Sequence, residues 1–307
     1  MENNIQHASL GYTKKLCILP FDHRSFFVQL LGFTEPLTDE QKETLVNYKK
    51  IIYKGYEKSL TMGTTVESTA ILVDDAFGME ILLDAKQKGY NTLQSTEVSG
   101  MDHFEFDHGE NWKEWIDKVK PTFVKVLVRY NVAGDRSLNE KSIANLKIVS
   151  EFAHSNGYKF LIEPLVPATQ EQLTTLQNNK ARYDHELRPE LTVKMITEMQ
   201  DAGVEPDVWK IEGMYTEYDY AKCVMAAQRE GRTNVGIVSL GRNETDEVVE
   251  TWLKVGAKVP GVIGFAVGRT IFLDSLMKYR KQEMTESQAI DKIAERFLHF
   301  YKVFNSI

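Results

Sequence analysis

Along the whole chain, short apolar runs alternate with amphipathic segments, and they do so eight times. Strands buried on both faces read as near-continuous apolar runs, and parallel strands need a long crossover between them, usually a helix. The runs are 16–21, 64–73, 91–96, 123–130, 158–163, 207–212, 235–239 and 261–267. A long helix is expected over 39–60, with Thr38 and Gln41 as a capping box, and Ser137 with Glu140 reads as another. Ile143, Leu146, Val149 and Phe152 then mark a buried helical stripe that ends at Gly157. Pro121 stops the helix bearing Trp112 and Trp115, and Pro164 and Pro167 are expected to cut off the fifth strand. An irregular stretch, 168–188, precedes a helix that starts near Pro189. Ile290, Ile293, Phe297, Tyr301 and Phe304 form the stripe of a last helix docked on the body.

Eight strand–helix units in 307 residues predict an α/β protein, a (β/α)8 barrel forming one domain over 1–307 with an additional C-terminal helix. A doubly wound open sheet is the alternative. It would carry Gly-x-Gly-x-x-Gly after an early strand, and no such turn is found.

The fourth and sixth units share an anomaly with the fifth. Phe123-Val124-Lys125-Val126-Leu127-Val128, Phe160-Leu161-Ile162-Glu163 and Asp207-Val208-Trp209-Lys210-Ile211-Glu212 each place a charge in an apolar strand. A lone buried charge costs several kcal/mol unless it is paired or neutralised. Barrel side chains alternate between interior and helix layer. By that parity Lys125 shares a face with Leu127 and Arg129, Glu163 with Leu161, and Lys210 with Val208 and Glu212, so all three charges converge inside the barrel. Barrel enzymes keep their chemistry at the carboxyl ends of the strands, where Asp22, Glu163 and Glu212 also fall. Burial and a neighbouring cation are expected to lower a lysine pKa there, leaving an amine that attacks a carbonyl, with Glu163 as acid and base. Glu212, close in sequence to Lys210, works against that depression. A buried Lys125–Glu163 ion pair that merely joins two strands is the bland alternative.

Two glycine-bearing strand ends complete the pattern: Ser239-Leu240-Gly241-Arg242-Asn243 and Val267-Gly268-Arg269. The last two strands of barrels are where phosphate is commonly held, by backbone amides and a helix N-terminus. Arg269 adds a planar fork for phosphate oxygens. Arg24, Arg129, Glu212 and Ser239 are the expected contacts to the rest of a substrate. Asp22, His23, His103, Asp107 and His108 could instead build a divalent-metal site, but no His pair at ligand spacing falls on a strand or helix, so no metal and no cofactor is expected.

A net charge of −7, with acids and bases interspersed, argues against nucleic acid and anionic membranes as partners, and no apolar run approaches the length of a bilayer span. The opening stretch, 1–13, is polar and lacks the apolar centre of a signal peptide. Cys17 and Cys223 read as two buried reduced thiols. Together these predict a cytoplasmic protein with a small phosphorylated partner; self-association is left open.

The chain resembles class I aldolases of the tagatose-1,6-bisphosphate type. The resemblance rests on Phe21-Asp22-His23-Arg24, Ala70-Ile71-Leu72-Val73-Asp74 with Phe77-Gly78, Gly89-Tyr90, Lys125-Val126-Leu127, Phe160-Leu161-Ile162-Glu163, Asp207 to Glu212, and Gly268-Arg269. It looks closer still to the aldolase-like domain often fused behind the sugar kinase of bacterial inositol catabolism. There the Phe-Asp-His-Arg start, the Trp-Lys pair and the Val-Gly-Arg-Thr-Ile-Phe end recur. The resemblance implies a substrate, 2-deoxy-5-keto-gluconate 6-phosphate, cleaved to dihydroxyacetone phosphate and malonic semialdehyde. It also implies roles: Lys210 as Schiff-base lysine, Lys125 as second lysine, Glu163 as acid/base, Asp22 as an active-site aspartate, and Gly241, Gly268 and Arg269 at the phosphate. This chain departs from the pattern at Arg242-Asn243, where small residues are expected, and has no kinase segment. The other readings are a metal-dependent sugar-phosphate isomerase or lyase using Asp22, His23 and His103, and a non-catalytic sugar-phosphate-binding barrel.

Overall fold

Eight parallel strands close on themselves in sequential order: β1 Leu16–Pro20, β2 Thr69–Val73, β3 Asn91–Ser95, β4 Phe123–Arg129, β5 Lys159–Leu165, β6 Val208–Glu212, β7 Gly236–Leu240 and β8 Val262–Ala266. The closing contact pairs β1 with β8, Cys17 opposite Phe265. The structure is a computed structural model and describes residues 10–306, so positions 1–9 of the polar opening stretch lie outside the described residues. The helices that follow the strands are α1 Asp39–Met62, α2 Asp75–Gln87, α3 Trp112–Val119, α4 Arg136–Ser155, α5 Arg188–Asp201, α6 Glu217–Ala227, α7 Asp246–Gly256 and α8 Arg269–Arg280. The additional helix is α9, Glu286–Asn305. The chain is thus the expected (β/α)8 barrel, a single domain with a C-terminal helix.

The alternation of side chains divides the apolar core in two. Leu16, Ile18, Ala70, Leu72, Phe123, Leu161, Val208 and Val238 fill the lower interior of the barrel. The opposite faces of the same strands, among them Val124, Val126, Ile162, Trp209 and Ile211, pack against the helices in a second, larger core. The lower plug matters for the site, since it leaves polar side chains room only at the carboxyl end of the barrel. α9 lies along α1, with Ile293 seated over Gly55, where even a methyl group would meet its side chain. Tyr56 and Phe297 are 6.0 Å apart in the same seam. The stripe read from Ile293, Phe297 and Phe304 is buried.

Local chemistry sets the helix starts. Thr38 and Gln41 form the expected capping box on α1, and Thr285 with Gln288 forms one on α9. At α4 the cap differs from the expectation: Asp135, not Ser137, accepts from the Leu138 amide, and the helix starts one residue after Asp135. β2 begins at Thr69 rather than at 64, since Thr65 and Ser68 close a hydrogen-bonded turn first. Pro164 does not end β5, which runs on to Leu165; the strand keeps its pairing with β4 through that point. A proline removes only its own amide from the ladder, and β4 and β5 continue around it. The irregular stretch resolves into short helices at Gln170–Thr175 and Lys180–Arg182 and a π-helical turn at Tyr183–Leu187, before α5. Cys17 and Cys223 are buried free thiols. No helix among the described residues is long and apolar enough to cross a membrane.

Candidate active site

A cavity of about 320 Å³ opens at the carboxyl end of the barrel. Its floor is charged. Lys210, in the middle of β6, places Nζ 2.6 Å from Glu163 Oε1 on β5. The second carboxylate oxygen, Oε2, lies 3.1 Å from Nζ of Lys125 on β4. Lys125 also donates to Asp22 Oδ2 at 2.8 Å and to Glu97 Oε1 at 2.6 Å. The parity that sends Leu161, Val208 and Phe123 into the lower plug sends these charges into the layer above it. Two ammonium groups and three carboxylates are therefore buried together, each charge in contact with an opposite one.

The electrostatics separate the two lysines. Burial alone would lower the pKa of Lys125, but Asp22, Glu97 and Glu163 outweigh it and hold the ammonium well above the ordinary lysine range. The depression expected for a buried lysine is overturned at Lys125. Burial would likewise raise Asp22, yet the charge of Lys125, with His23 and Lys210, holds its carboxyl below the usual range. Glu163 is also held down, because Lys210 and then Lys125 overcome its burial. Glu97 goes the other way: burial, with Asp22 beside it, pushes its pKa up against the pull of Lys125 and Arg24.

Glu97 escaped the sequence reading. It sits two residues past β3, in a stretch that looks like the start of a polar loop. A period-two extension from Leu93 through Ser95 would have pointed it inward. Arg24 is held by Asp107 and by the Glu97 carbonyl, so its guanidinium braces this loop while still lining the cavity.

Two of the expected substrate contacts lie elsewhere. Glu212 does not line the cavity and is not the partner of Lys210. It accepts from the Val166 amide at 2.9 Å and faces Arg242 at 3.4 Å. Burial pushes its pKa up despite Arg188 and Arg242. Ser239 lies on the helix-facing side of β7 and bonds the Tyr220 hydroxyl of α6 at 2.7 Å. The inward residues of β7 are Val238, in the plug, and Leu240, at the cavity wall. Asp207, just ahead of β6, is structural: it accepts from the amides of Gly11 and Phe160, each at 2.8 Å, and from Lys159 and His154.

Gly241, Gly268 and Arg269 line the cavity with Arg129. Gly268 must be a glycine, since a Cβ there would lie 2.4 Å from the Pro20 carbonyl oxygen. With Arg269 and Thr270 it brings the first turn of α8 to the cavity wall, and amides of a first helical turn favour anions. Arg242 and Asn243 adopt left-handed backbone, φ 51° and 63°. Arg242 is tied to Asp184 at 2.8 Å, so the departure from small residues at this point has a built structural partner.

Asp22, His23 and His103 do not gather into one chelating set among the described residues; His103 instead meets Glu105 at 2.8 Å. The set that does converge is Asp75, Asp107 and His108. Arg24 already occupies Asp107, and His108 stacks on Trp115 at 4.2 Å, so this trio reads as a brace for the loop after β3.

Solved structures share this architecture at low identity. A Corynebacterium glutamicum protein matches with a TM-score of 0.56 at 16% identity, over 94% of this chain and 87% of that one. An archaeal fructose 1,6-bisphosphate aldolase matches at 0.53 and 12% identity, over 94% of each chain. An archaeal fructose-1,6-bisphosphate aldolase, whose catalytic Lys is covalently bound to the carbinolamine intermediate of the substrate, matches at 0.57 and 10% identity, over 95% of this chain and 94% of that one. At such identities the likeness is one of fold. No curated protein matches the sequence. Residues 6–306 match the model of DUF2090, described as an uncharacterized protein conserved in bacteria, and the chain belongs to that family.

Proposed function

We propose that the protein is a class I aldolase acting on a phosphorylated keto sugar or keto acid. The observation that carries this reading is the Lys210–Glu163 contact of 2.6 Å at the floor of the cavity. A lysine that forms an iminium must first lose a proton to a group within reach, and the same group must later return one. Glu163 is so placed. It takes a proton from Lys210, and Nζ adds to the substrate ketone to give a carbinolamine. Glu163 then protonates the carbinolamine hydroxyl, which leaves as water, and the iminium forms.

Cleavage follows from that electron sink. A carboxylate of the cluster takes the proton of the hydroxyl two carbons from the iminium carbon. The bond joining that hydroxyl-bearing carbon to the carbon next to the iminium breaks, an aldehyde leaves, and the electron pair passes into the iminium to give an enamine. Protonation at carbon and hydrolysis by water release the second product and regenerate Lys210. Lys125 is unsuited to be the nucleophile, because three carboxylates stabilise its ammonium. Its charge instead balances theirs. In this reading Asp22 binds substrate hydroxyls, and Arg269 with the amides at Gly268 and Gly241 holds phosphate; all four line the cavity.

The fold shared with the archaeal aldolases supports the reaction class. The sequence resemblance to the inositol-catabolism domain supports the finer reading, 2-deoxy-5-keto-gluconate 6-phosphate as substrate, with dihydroxyacetone phosphate and malonic semialdehyde as products. Borohydride reduction in the presence of dihydroxyacetone phosphate tests the class: a triose phosphate adduct should appear on the Lys210 peptide by mass. No adduct, together with activity that a chelator abolishes, would sink the reading.

A further inference from the structure

Three carboxylates surround Lys125, and they are not placed alike. Glu163 is committed to the lysines: one oxygen faces Lys210 and the other Lys125, so it stays against the nitrogen that would become the iminium. Asp22 and Glu97 remain, and the barrel separates them. β1, which leads into Asp22, pairs with β8, which leads into Gly268 and Arg269. Asp22 therefore stands beside the end assigned to phosphate, and its charge acts on Arg269. Glu97 follows β3, three strands from β8 in one direction and three from β6 in the other. A ligand with its phosphate at Arg269 and its carbonyl carbon on Lys210 is fixed at β8 and β6. The carbons beyond its carbonyl then turn toward the β3–β4 wall, where Glu97 lines the cavity.

Glu97 is also held in place. The Thr96 amide and hydroxyl donate to the Lys125 carbonyl at 3.0 and 2.9 Å, and Arg24 donates to the carbonyl of Glu97 itself. The main chain is thus pinned on both sides of this carboxylate. Oε1 accepts from Lys125 at 2.6 Å, and Oε2 accepts from the Thr96 amide at 3.2 Å. A carboxylate oxygen has two lone pairs, so Oε2 can accept a hydroxyl as well. The two carboxylates also diverge in acidity. Against its burial, Asp22 is held down by Lys125, with His23 and Lys210. Burial, with Asp22 beside it, pushes Glu97 up. A carboxylate held down is a poor base and one pushed up a better one, and such divergence within a site separates a proton carrier from a fixed charge.

We infer that Glu97 is the base of carbon–carbon cleavage, taking the proton of the hydroxyl two carbons from the iminium carbon, and the acid that returns it in the aldol-forming direction. This rests on the proposed aldolase reading and adds a residue to it. The O–H bond breaks toward the Glu97 carboxylate, and the oxygen's electron pair forms the aldehyde carbonyl. The adjacent carbon–carbon bond breaks, and its pair forms the enamine as the iminium nitrogen becomes neutral. Glu97 gives its proton to water once the aldehyde has left.

The test uses dihydroxyacetone phosphate, which needs no base at a hydroxyl either to form an iminium or to exchange the proton of its enamine-forming carbon. The wild type should give the Lys210 adduct under borohydride, exchange that proton in D2O, and condense with malonic semialdehyde or another short aldehyde. In Glu97→Gln the adduct and the exchange should stay near their wild-type rates, while condensation falls about 10²- to 10⁴-fold. Glu97→Asp keeps the charge beside Lys125 but draws the carboxylate back by one methylene. It should show the same split to a smaller extent, and it decides the matter if the glutamine variant does not fold. Condensation near the wild-type rate in a folded variant overturns the inference. So does loss of adduct, exchange and condensation by equal factors, which would make Glu97 only the counter-ion of Lys125. A wild type that exchanges the proton yet condenses with no aldehyde overturns it too, because Glu97 then has no hydroxyl to serve. A wild type without the Lys210 adduct sinks the aldolase reading itself, and the inference with it.

Discussion

Glu163 holds both lysines of the barrel at once, Lys210 through Oε1 at 2.6 Å and Lys125 through Oε2 at 3.1 Å. The two contacts are alike, yet the lysines differ in what else they touch. Lys125 has two more carboxylates, Asp22 and Glu97. The roles proposed for them rest on that difference, and separable outcomes on mutation follow.

Lys210→Met should abolish the borohydride adduct and cut turnover by at least about a thousandfold, since the covalent path is lost. The fold should survive, because Glu163 keeps Lys125. Lys125→Met should act on stability instead. It strands Asp22 and Glu97 without their cation, and removing one partner of a buried pair costs about 3–5 kcal/mol. Denaturant unfolding should show that loss near pH 7 and a smaller one in acid, where the stranded carboxyls are protonated. An adduct on the Lys125 peptide of Lys210→Met would show the roles to be reversed.

Glu163→Gln keeps the shape and removes the proposed proton carrier. Turnover should fall about 10²- to 10⁴-fold, the usual range for a lost general acid–base. Single-turnover trapping should still find Lys210 modified, but slowly, because carbinolamine formation and dehydration both lose their proton relay. A variant that traps as fast as the wild type would remove Glu163 from these steps.

The barrel and the convergence of Lys125, Glu163 and Lys210 were legible in the sequence, for a specific physical reason. A lysine among Val208, Trp209 and Ile211 violates burial rules, and period-two alternation then fixes which way it points. The same alternation reaches Glu97 only if it is carried two residues past the end of a weak strand, and it does not place Ser239, because its register depends on where β7 starts. Glu212 shows a different limit. It has the parity of Lys210, yet at the last position of β6 it turns to the Val166 amide and Arg242. Strand parity holds inside the ladder and fades at its end, where loops offer competing partners.

Lys49 and Asp74 are both fully buried and paired at the carboxyl ends of β1 and β2. Lys49, from α1, also donates to the Phe21 carbonyl, one residue before Asp22, while Asp74 caps α2 at the Phe77 amide, 2.9 Å away. Lys49→Met should cost about 3–5 kcal/mol, because it leaves a buried carboxylate unpaired. Adding Asp74→Asn should restore part of that, since the charge is gone while the cap can remain. Chemical denaturation of the two single variants and the double variant gives the coupling. Additive losses would mean that the pair is not the reason for either residue's burial.

His23 offers a pH test. Burial, helped by Arg269, Lys210 and Lys49 and opposed by Asp22, pulls its pKa down from 6.5 to about 4. The unfolded chain therefore binds a proton on this histidine at a pH where the folded chain does not. Between about 6.5 and about 4 the unfolded state holds more protons, so this histidine makes stability fall as the pH is lowered through that window. The size should be on the order of 1–2 kcal/mol, less than the full shift would give, because 27% of the side chain remains exposed to the cavity. Asp22 and its neighbours add acid losses of their own, so the readout is a difference. His23→Gln should unfold with a flatter dependence on pH than the wild type across this range, and the two curves should run parallel above pH 7. Parallel curves throughout would mean that His23 is protonated as readily in the folded protein as in the unfolded chain.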